Sequence, residues 1–302
     1  MQGRIISCSA GIYKVETEKG DYACSARGSF RQEGIVPVAG DFVEIIPDEK
    51  DDMSGVIDKV LERRNHLIRP GVANVDILFV VFALRDPEPN FYSIDKLCAI
   101  AEHNDIKVHI VFNKSDLVDA EYVEKTASVY TACGYHVHTL SAAVRPDEIR
   151  ERLGEYIKDA TCVFTGPSGV GKSTIINALY PSMPRLETGR VSNKTRRGRH
   201  TTRQTVLYPC DSGSGYLVDT PGFSLLDFER FRFMKKEELI YAFPEFVPLA
   251  GMCKYKKCTH TKEEGCAVIE QIKSGALPVS RHESYTAIWE DLKKHHDWDE
   301  KN

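Results

Sequence analysis

The stretch GPSGVGKST, residues 166–174, constrains this chain more than any other. It satisfies the pattern G-x-x-x-x-G-K-[ST]. The apolar run ATCVFTG leads into it, and the run KSTIINALY, stopped by Pro181, follows. A strand, a glycine-rich turn and a helix in that order form a loop that cradles phosphates. Gly166, Gly169 and Gly171 let the backbone curl so that its N–H groups face an anion. Pro167, Ser168, Val170 and Thr174 complete the candidate loop. Lys172 adds a point charge for β- and γ-phosphates, and Ser173 offers a hydroxyl to Mg²⁺. The bland alternative, a glycine-rich turn with a chance lysine, does not account for the flanking strand and helix.

Two further motifs address the rest of a nucleotide. VDTPG places Asp219 at the end of the apolar run YLVDT, with Gly222 three residues on. An Asp there can hold Mg²⁺, directly or through water, and the Gly N–H can bond a γ-phosphate. Alone, Asp-Thr-Pro-Gly is also an ordinary turn. NKSD, residues 113–116, follows the strand-like run KVHIVF. Asp116 can accept from guanine N1–H and the 2-amino group, Asn113 can bond the acceptor edge and neighbouring loops, and the Lys114 stem can cover the ring. Ser115 completes the loop. Adenine lacks the 2-amino donor and would leave the carboxylate unpaired, so such a site discriminates by about 10⁴-fold. The competing role for Asp116 is a helix cap. Ser141 and Ala142, in LSAAV after another short strand, offer a backbone N–H to guanine O6.

The order of these motifs is unusual, because the base-reading loop precedes the phosphate loop. NKSD, SA, GPSGVGKST and then DTPG resembles the circularly permuted GTPases. With GRHTT and a downstream Cys/His cluster, the whole chain is similar to the ribosome small-subunit-dependent GTPase A family. One departure is SAA, where a longer SA-K-type sequence with a following Gly is commoner. The resemblance implies an N-terminal OB-type barrel, a permuted P-loop GTPase domain and a zinc-binding tail. It also implies GTP/GDP and Mg²⁺ as cofactors, and the small ribosomal subunit with its rRNA as partner. Circular permutation preserves every loop in space and changes only where the chain is cut.

The remaining texture fits three segments. Residues 1–66 carry five β-type runs, GRIISCS, GIYKVET, DYACSA, DFVEIIP and SGVIDKVL, separated by turns. They predict a five-stranded barrel, either of the OB kind or a generic packing module. From 67 to 227, VDILFVVFAL, FYSIDKLCAIAEHN and KVHIVF begin a strand–helix alternation, which predicts a mostly parallel sheet covered on both faces. From 228 to 302 the chain is rich in Lys, aromatics and Cys, and it closes on a helix carrying Tyr285, Ile288, Trp289 and Leu292 at core spacing. The fold class expected is multi-domain α/β.

CKYKKCTHTKEEGC offers Cys253, Cys258, His260 and Cys266, a set suited to one closed, structural tetrahedral Zn²⁺ site. Nine cysteines is an odd number, and the other six are scattered, which favours a reducing cytoplasm over a disulfide framework. Net charge is −4, so RNA contact must be local. No run reaches the ~18 apolar residues of a membrane span, and MQGRIISCSAG lacks a signal-peptide core. A monomer is expected. NKTRRGRHTTRQT crowds Lys194, Arg196, Arg197, Arg199 and Arg203 around Thr201 and Thr202, one of which is the candidate Mg²⁺-binding switch threonine. The basic cluster is either a solvated face or a contact to RNA phosphate. Phe223 follows Gly222 where many GTPases carry a water-orienting glutamine. His200 is therefore the candidate catalytic group, with packing or rRNA contact as its alternative. Two rival functions fit the same residues: an RNA chaperone using GTP as an ordering ligand, and a P-loop ATPase or kinase. NKSD disfavours the second.

Overall fold

Alternation of buried and exposed side chains builds the N-terminal strands. The computed structural model describes residues 1–49, 51, 53–67, 71–186, 205–211, 213–219 and 234–294. Five strands open it: β1 (Gln2–Ser9), β2 (Ile12–Thr17), β3 (Gly20–Ala26), β4 (Phe42–Pro47) and β5 (Ser54–Val60). On β2 and β3, Tyr13, Val15, Tyr22 and Cys24 point inward between exposed neighbours, the period-two pattern of a half-buried strand. The strands pair in the order β1-β2-β3-β5-β4, and β4 returns to β1, so the barrel closes. Only β3–β5 is parallel within it. A short helix, α1 (Phe30–Glu33), inserts Phe30 among Ile5, Val43, Ile45 and Ile57 in the barrel core.

A two-stranded ribbon, β6 (His66–Leu67) with β7 (Val72–Ala73), leads into the second layer. There β8 (Ile77–Ala83), β9 (Lys107–Asn113), β10 (His136–Thr139), β11 (Thr161–Thr165) and β13 (Tyr216–Asp219) are parallel, in the spatial order β10-β9-β8-β11-β13. The antiparallel strand β12 (Val206–Pro209) flanks β13. Every residue of β8 and β11 is buried, as expected of strands covered on both faces. Helices α2 (Phe91–His103) and α3 (Ala120–Ala132) cover one face, and α4 (Asp147–Ile157) and α5 (Lys172–Leu179) the other. Asn90 and Asp119 cap α2 and α3 by accepting from Ser93 N and Tyr122 N. The α3 cap is thus Asp119 rather than Asp116.

Barrel and parallel sheet are continuous. Ser7 of β1 pairs with Val206 of β12, giving eleven strands in one sheet among the described residues. Arg4 fastens the junction. Its Nη2 donates to Thr161 Oγ1 at 2.7 Å, and its guanidinium lies 5.1 Å from the Phe42 ring centre and 4.7 Å from that of Tyr216.

The C-terminal part packs on the outer side of α2. Two 3₁₀ turns, Lys236–Ala242 and Val247–Leu249, precede α6 (Ala267–Lys273) and α7 (Val279–Lys294). Tyr285, Ile288 and Leu292 of α7 are buried, and Trp289 packs partly buried beside them, as their spacing predicts. Arg281, 1% exposed, crosses from α7 to α2: Nη1 donates to Asp95 at 2.5 Å and Nε to Glu245 at 2.7 Å. Burial opposes its charge, but Asp95 leads the groups that hold its pKa above the ordinary value. No helix among the described residues is long and apolar enough to cross a membrane.

Candidate nucleotide site and metal cluster

The sequence-predicted base and phosphate loops converge because parallel strands end on one side of the sheet. Asn113 closes β9, Gly166 follows β11, Asp219 closes β13, and Ser141 and Ala142 lie just past β10. That crevice, beyond the carboxyl ends of the strands, is where open α/β sheets bind ligands.

Asn113 is the strut between the loops. Buried at 3% exposure, its Nδ2 donates to Val170 O at 2.8 Å, and its Oδ1 accepts from Ala142 N at 3.0 Å. One side chain therefore joins the NKSD loop, the Ser-Ala loop and the phosphate loop. The Ala142 N–H, which the sequence aims at a base oxygen, is engaged by Asn113 here. Ser115 adds a second tie, with its Oγ 2.8 Å from Ser141 Oγ and its N donating to Leu140 O at 3.0 Å. Lys114 sits in the left-handed region at φ 59° and donates to the Asp86 carbonyl. Asp116 lies exposed in a 3₁₀ turn spanning Ser115–Leu117, at a cavity of about 380 Å³ that Leu84, Arg85 and Tyr122 also line.

Two glycines of the phosphate loop fit only as glycine. At Gly166, φ +140°, a Cβ would lie 1.9 Å from Val81 O. At Gly171, φ +98°, it would lie 2.2 Å from Asn113 Nδ2, which fixes the contact between base and phosphate loops. The exposed Ser168 and Gly169 lie at the turn's outer edge, while Val170 is buried beneath it. Lys172 begins α5 and donates to Gly166 O at 2.7 Å and Pro167 O at 2.6 Å. Burial lowers its pKa to about 8, so an anion exchanged for those carbonyls would stabilise its charge. Ser173 and Thr174 follow on the first turn, half-buried. Asp219 is half-buried at the end of β13, one strand from the phosphate loop. His200, Thr201, Thr202, Gly222, Phe223 and the five basic residues between 194 and 203 lie outside the described residues.

The second site is irregular chain. Between Leu249 and Ala267 there is neither helix nor strand, yet the ligand atoms of Cys253, Cys258, His260 and Cys266 lie within 4.8 Å of one another. The distances test the fit. Zn–S bonds of about 2.3 Å and Zn–N bonds of about 2.05 Å imply tetrahedral edges of about 3.8 Å and about 3.5 Å. Here Cys253 Sγ is 3.8 Å from Cys266 Sγ, and His260 Nδ1 is 3.4 Å and 3.5 Å from those two sulfurs. The cluster could hold a metal ion. Burial pushes the Cys258 thiol up to about 12, so a cation is what would keep it a thiolate at neutral pH.

Sequence reading missed Glu263, whose carboxylate accepts from Thr259 and Thr261 around His260, and Arg281, which reads as a surface cation in SRHESY. It also missed a histidine trio on β9 and β10. The His109 ring stacks 4.6 Å from His136 and 5.2 Å from His138. The alternating His136 and His138 of one strand were the available signal.

Spatially, the phosphate loop sits near the middle of the parallel sheet, although the chain enters that sheet at β8. Attaching β8–β10 after β13 would restore a phosphate-loop-first order without moving a strand, so the molecule is a circularly permuted P-loop GTPase by class. Its lineage is narrower. The chain belongs to the RsgA GTPase family, whose GTPase-domain model matches residues 60–229 and whose N-terminal-domain model matches residues 2–57. It is 41% identical to the "Small ribosomal subunit biogenesis GTPase RsgA" of Caldanaerobacter subterraneus subsp. tengcongensis, covering 97% of this chain and 96% of that one. The Alkaliphilus metalliredigens protein of the same name is 40% identical over 97% and 98% of the two chains. Among solved structures, YjeQ from Thermotoga maritima superposes with TM-score 0.80 at 33% identity, over 98% of this chain and 99% of its own. YloQ, described as a circularly permuted GTPase, gives 0.75 at 31% identity over 97% and 95%.

Proposed function

We propose that this chain hydrolyses GTP to GDP and phosphate on the small ribosomal subunit, late in that subunit's assembly, with turnover stimulated by rRNA. The observation that carries the reading is Asn113, which bonds Val170 O and Ala142 N at once and so assembles base and phosphate loops into one cradle. Near-full-length relatives named as small ribosomal subunit biogenesis GTPases support the partner.

In this reading Asp116 pairs with guanine N1–H and the 2-amino group, the Lys114 stem covers one ring face, and the Ser141–Ala142 backbone meets O6, with the Ala142 N–H shared between the base and Asn113 Oδ1. The amides from Gly166 to Thr174 cradle the phosphates, and Lys172 exchanges its carbonyl partners for β- and γ-oxygens. Ser173, Asp219 and either Thr201 or Thr202 would hold Mg²⁺, which would neutralise developing phosphate charge. Gly222 N–H meets the γ-phosphate, and His200 orients the attacking water in place of the glutamine that Phe223 replaces. Cys253, Cys258, His260 and Cys266 would hold one structural Zn²⁺; with four protein ligands, no coordination position would stay open for catalysis. We place the domain boundaries at 66/67 and 227/228, and the protein in the cytoplasm as a monomer without membrane contact.

Phosphate release, measured with and without small subunits, tests the function. The expected result is slow intrinsic hydrolysis that the subunits accelerate strongly. Equal rates would remove the partner-gated mechanism, and negligible turnover in both would leave only an ordering role for GTP. ATP competing as well as GTP would remove the guanine reading.

A further inference from the structure

Glu263 stands between the metal-cluster residues His260 and Cys266 without being a ligand. One carboxylate oxygen accepts from Thr259 N at 2.8 Å and from the Thr259 hydroxyl. The other accepts from Thr261 N at 3.1 Å and Lys262 N at 3.2 Å. All four donors belong to the turn that carries His260. Partial burial opposes the charge on Glu263, but the hydrogen bonds from Thr259 and Lys262 bring its pKa down to about 2. The carboxylate is therefore anionic wherever the protein is folded near neutrality.

That turn needs holding. His260 lies at φ 60°, the left-handed region that disfavours a side chain with a Cβ. Left alone, it would relax to an ordinary φ, and the imidazole would swing away from the sulfurs. Its other side is gripped from α7, where His282 Nε2 donates to His260 O at 2.7 Å and Tyr285 Oη to Thr259 O at 3.2 Å. These α7 bonds hold carbonyls. The N–H groups of Thr259, Thr261 and Lys262 are held by Glu263.

We propose that Glu263 is a positioning residue, whose carboxylate fixes the 259–262 turn so that His260 Nδ1 points at the metal bound by Cys253, Cys258 and Cys266. The proposal rests on the zinc reading above. A glutamine cannot substitute, because it offers one acceptor oxygen and sets an NH₂ against backbone N–H donors.

The test measures zinc affinity of the full-length chain by chelator competition, and visible spectra after Co²⁺ substitution. Glu263→Gln should weaken zinc by about 10–100-fold, the usual loss when an outer partner of a metal ligand is removed. Its Co²⁺ form should keep thiolate charge-transfer bands, while its ligand-field bands move towards those of His260→Ala. Glu264→Gln, which removes the neighbouring charge, should leave both readouts unchanged. Thr259→Val, which removes only the hydroxyl donor, should weaken zinc a few-fold and carries the test if Glu263→Gln does not fold. Wild-type zinc affinity in Glu263→Gln, or in Thr259→Val where that variant stands in, overturns the proposal alone. So does a Glu264→Gln loss as large as that of Glu263→Gln, because charge rather than position would then be responsible. A wild-type chain that binds no zinc tightly overturns the metal reading and the proposal with it.

Discussion

Asn113 and His260 each bring a side chain to a point where separate stretches of chain meet, but their supports differ in kind. Asn113 ends a strand whose last six residues are buried, flanked on both sides by parallel strands and covered by helices. Its position follows from hydrophobic burial, and its two amide bonds only choose among loops already close. His260 sits in a stretch without helix or strand, in left-handed backbone, held by Glu263, His282 and the thiols around it. The first site should persist without its ligand, whereas the second should depend on one.

Metal removal is the strongest way to break that comparison. Structural zinc in small finger peptides contributes apparent binding of about 10–16 kcal/mol. Chelation should therefore open residues 250–266 to proteolysis while the parallel sheet and nucleotide binding remain. Nucleotide binding lost in step with zinc would mean that the two regions share one stability.

The next largest effect belongs to Arg281, which fastens the C-terminal part to α2. Removing one member of a buried ion pair typically costs about 3–5 kcal/mol because the other charge is left unpaired. Arg281→Ala strands both Asp95 and Glu245. Urea denaturation should show a loss of that size in the C-terminal part. The triple replacement by apolar residues of similar volume should recover much of it. A loss below about 1 kcal/mol would mark the network as an ordinary surface pair.

How much of this could be read in the sequence follows the same division. The barrel strands and β8, β9 and β11 were legible because their partners impose a local pattern, either alternation or an unbroken apolar run. The phosphate loop was legible because its glycines and lysine occupy fixed offsets. Arg281 was not, since its acceptors lie 186 and 36 residues away and leave no periodic trace. Glu263 was hidden differently: in CTHTKEEGC a glutamate between a lysine and a second glutamate reads as solvated charge, and only the turn reveals four donors. The candidate metal ligands could be picked out by residue type and spacing and do converge in space, while the carboxylate that bonds the turn between them could not.

Asp116 sharpens the contrast from the other side, because its role should be purely one of selection. Asp116→Asn should weaken GTP by about 10–100-fold, as expected for losing charged hydrogen bonds of about 1.5–3 kcal/mol. Preference should shift towards xanthosine triphosphate, whose 2-carbonyl accepts from an amide. Stability should hold within about 0.5 kcal/mol, since Asp116 is exposed and does not cap α3. Undiminished GTP affinity would show that Asp116 does not read the base.

Acid should find a weakness in the better-supported region, at its edge strand. His109 Nδ1 lies 3.0 Å from His138 Nε2, so one neutral ring donates to the other, and protonating the acceptor would set N–H against N–H. Burial first, then the neighbouring histidines, with Lys107 near His109 and Arg152 near His138, lower the two pKa values from 6.5 to about 3 and about 4. Tyr156 of α4 packs against all three rings and supplies no counter-charge. Because the folded values lie below the unfolded one, the unfolded chain takes up protons first. The stabilisation is present above about pH 6.5 and is lost as pH falls towards 4. Between about pH 7.5 and about pH 5.5 the loss should be about 1–2 kcal/mol after discounting for solvent screening. In a zinc-loaded cluster acid would also protonate the ligating thiolates, so the variant must separate the two regions. His109→Phe continues the aromatic row begun by Phe164 and Phe79, stacked at 4.5 Å, and removes one titrating ring. Denaturation midpoints of zinc-loaded protein should then fall less steeply with acid than in the wild type. A slope unchanged by His109→Phe would assign the acid sensitivity to the metal cluster instead.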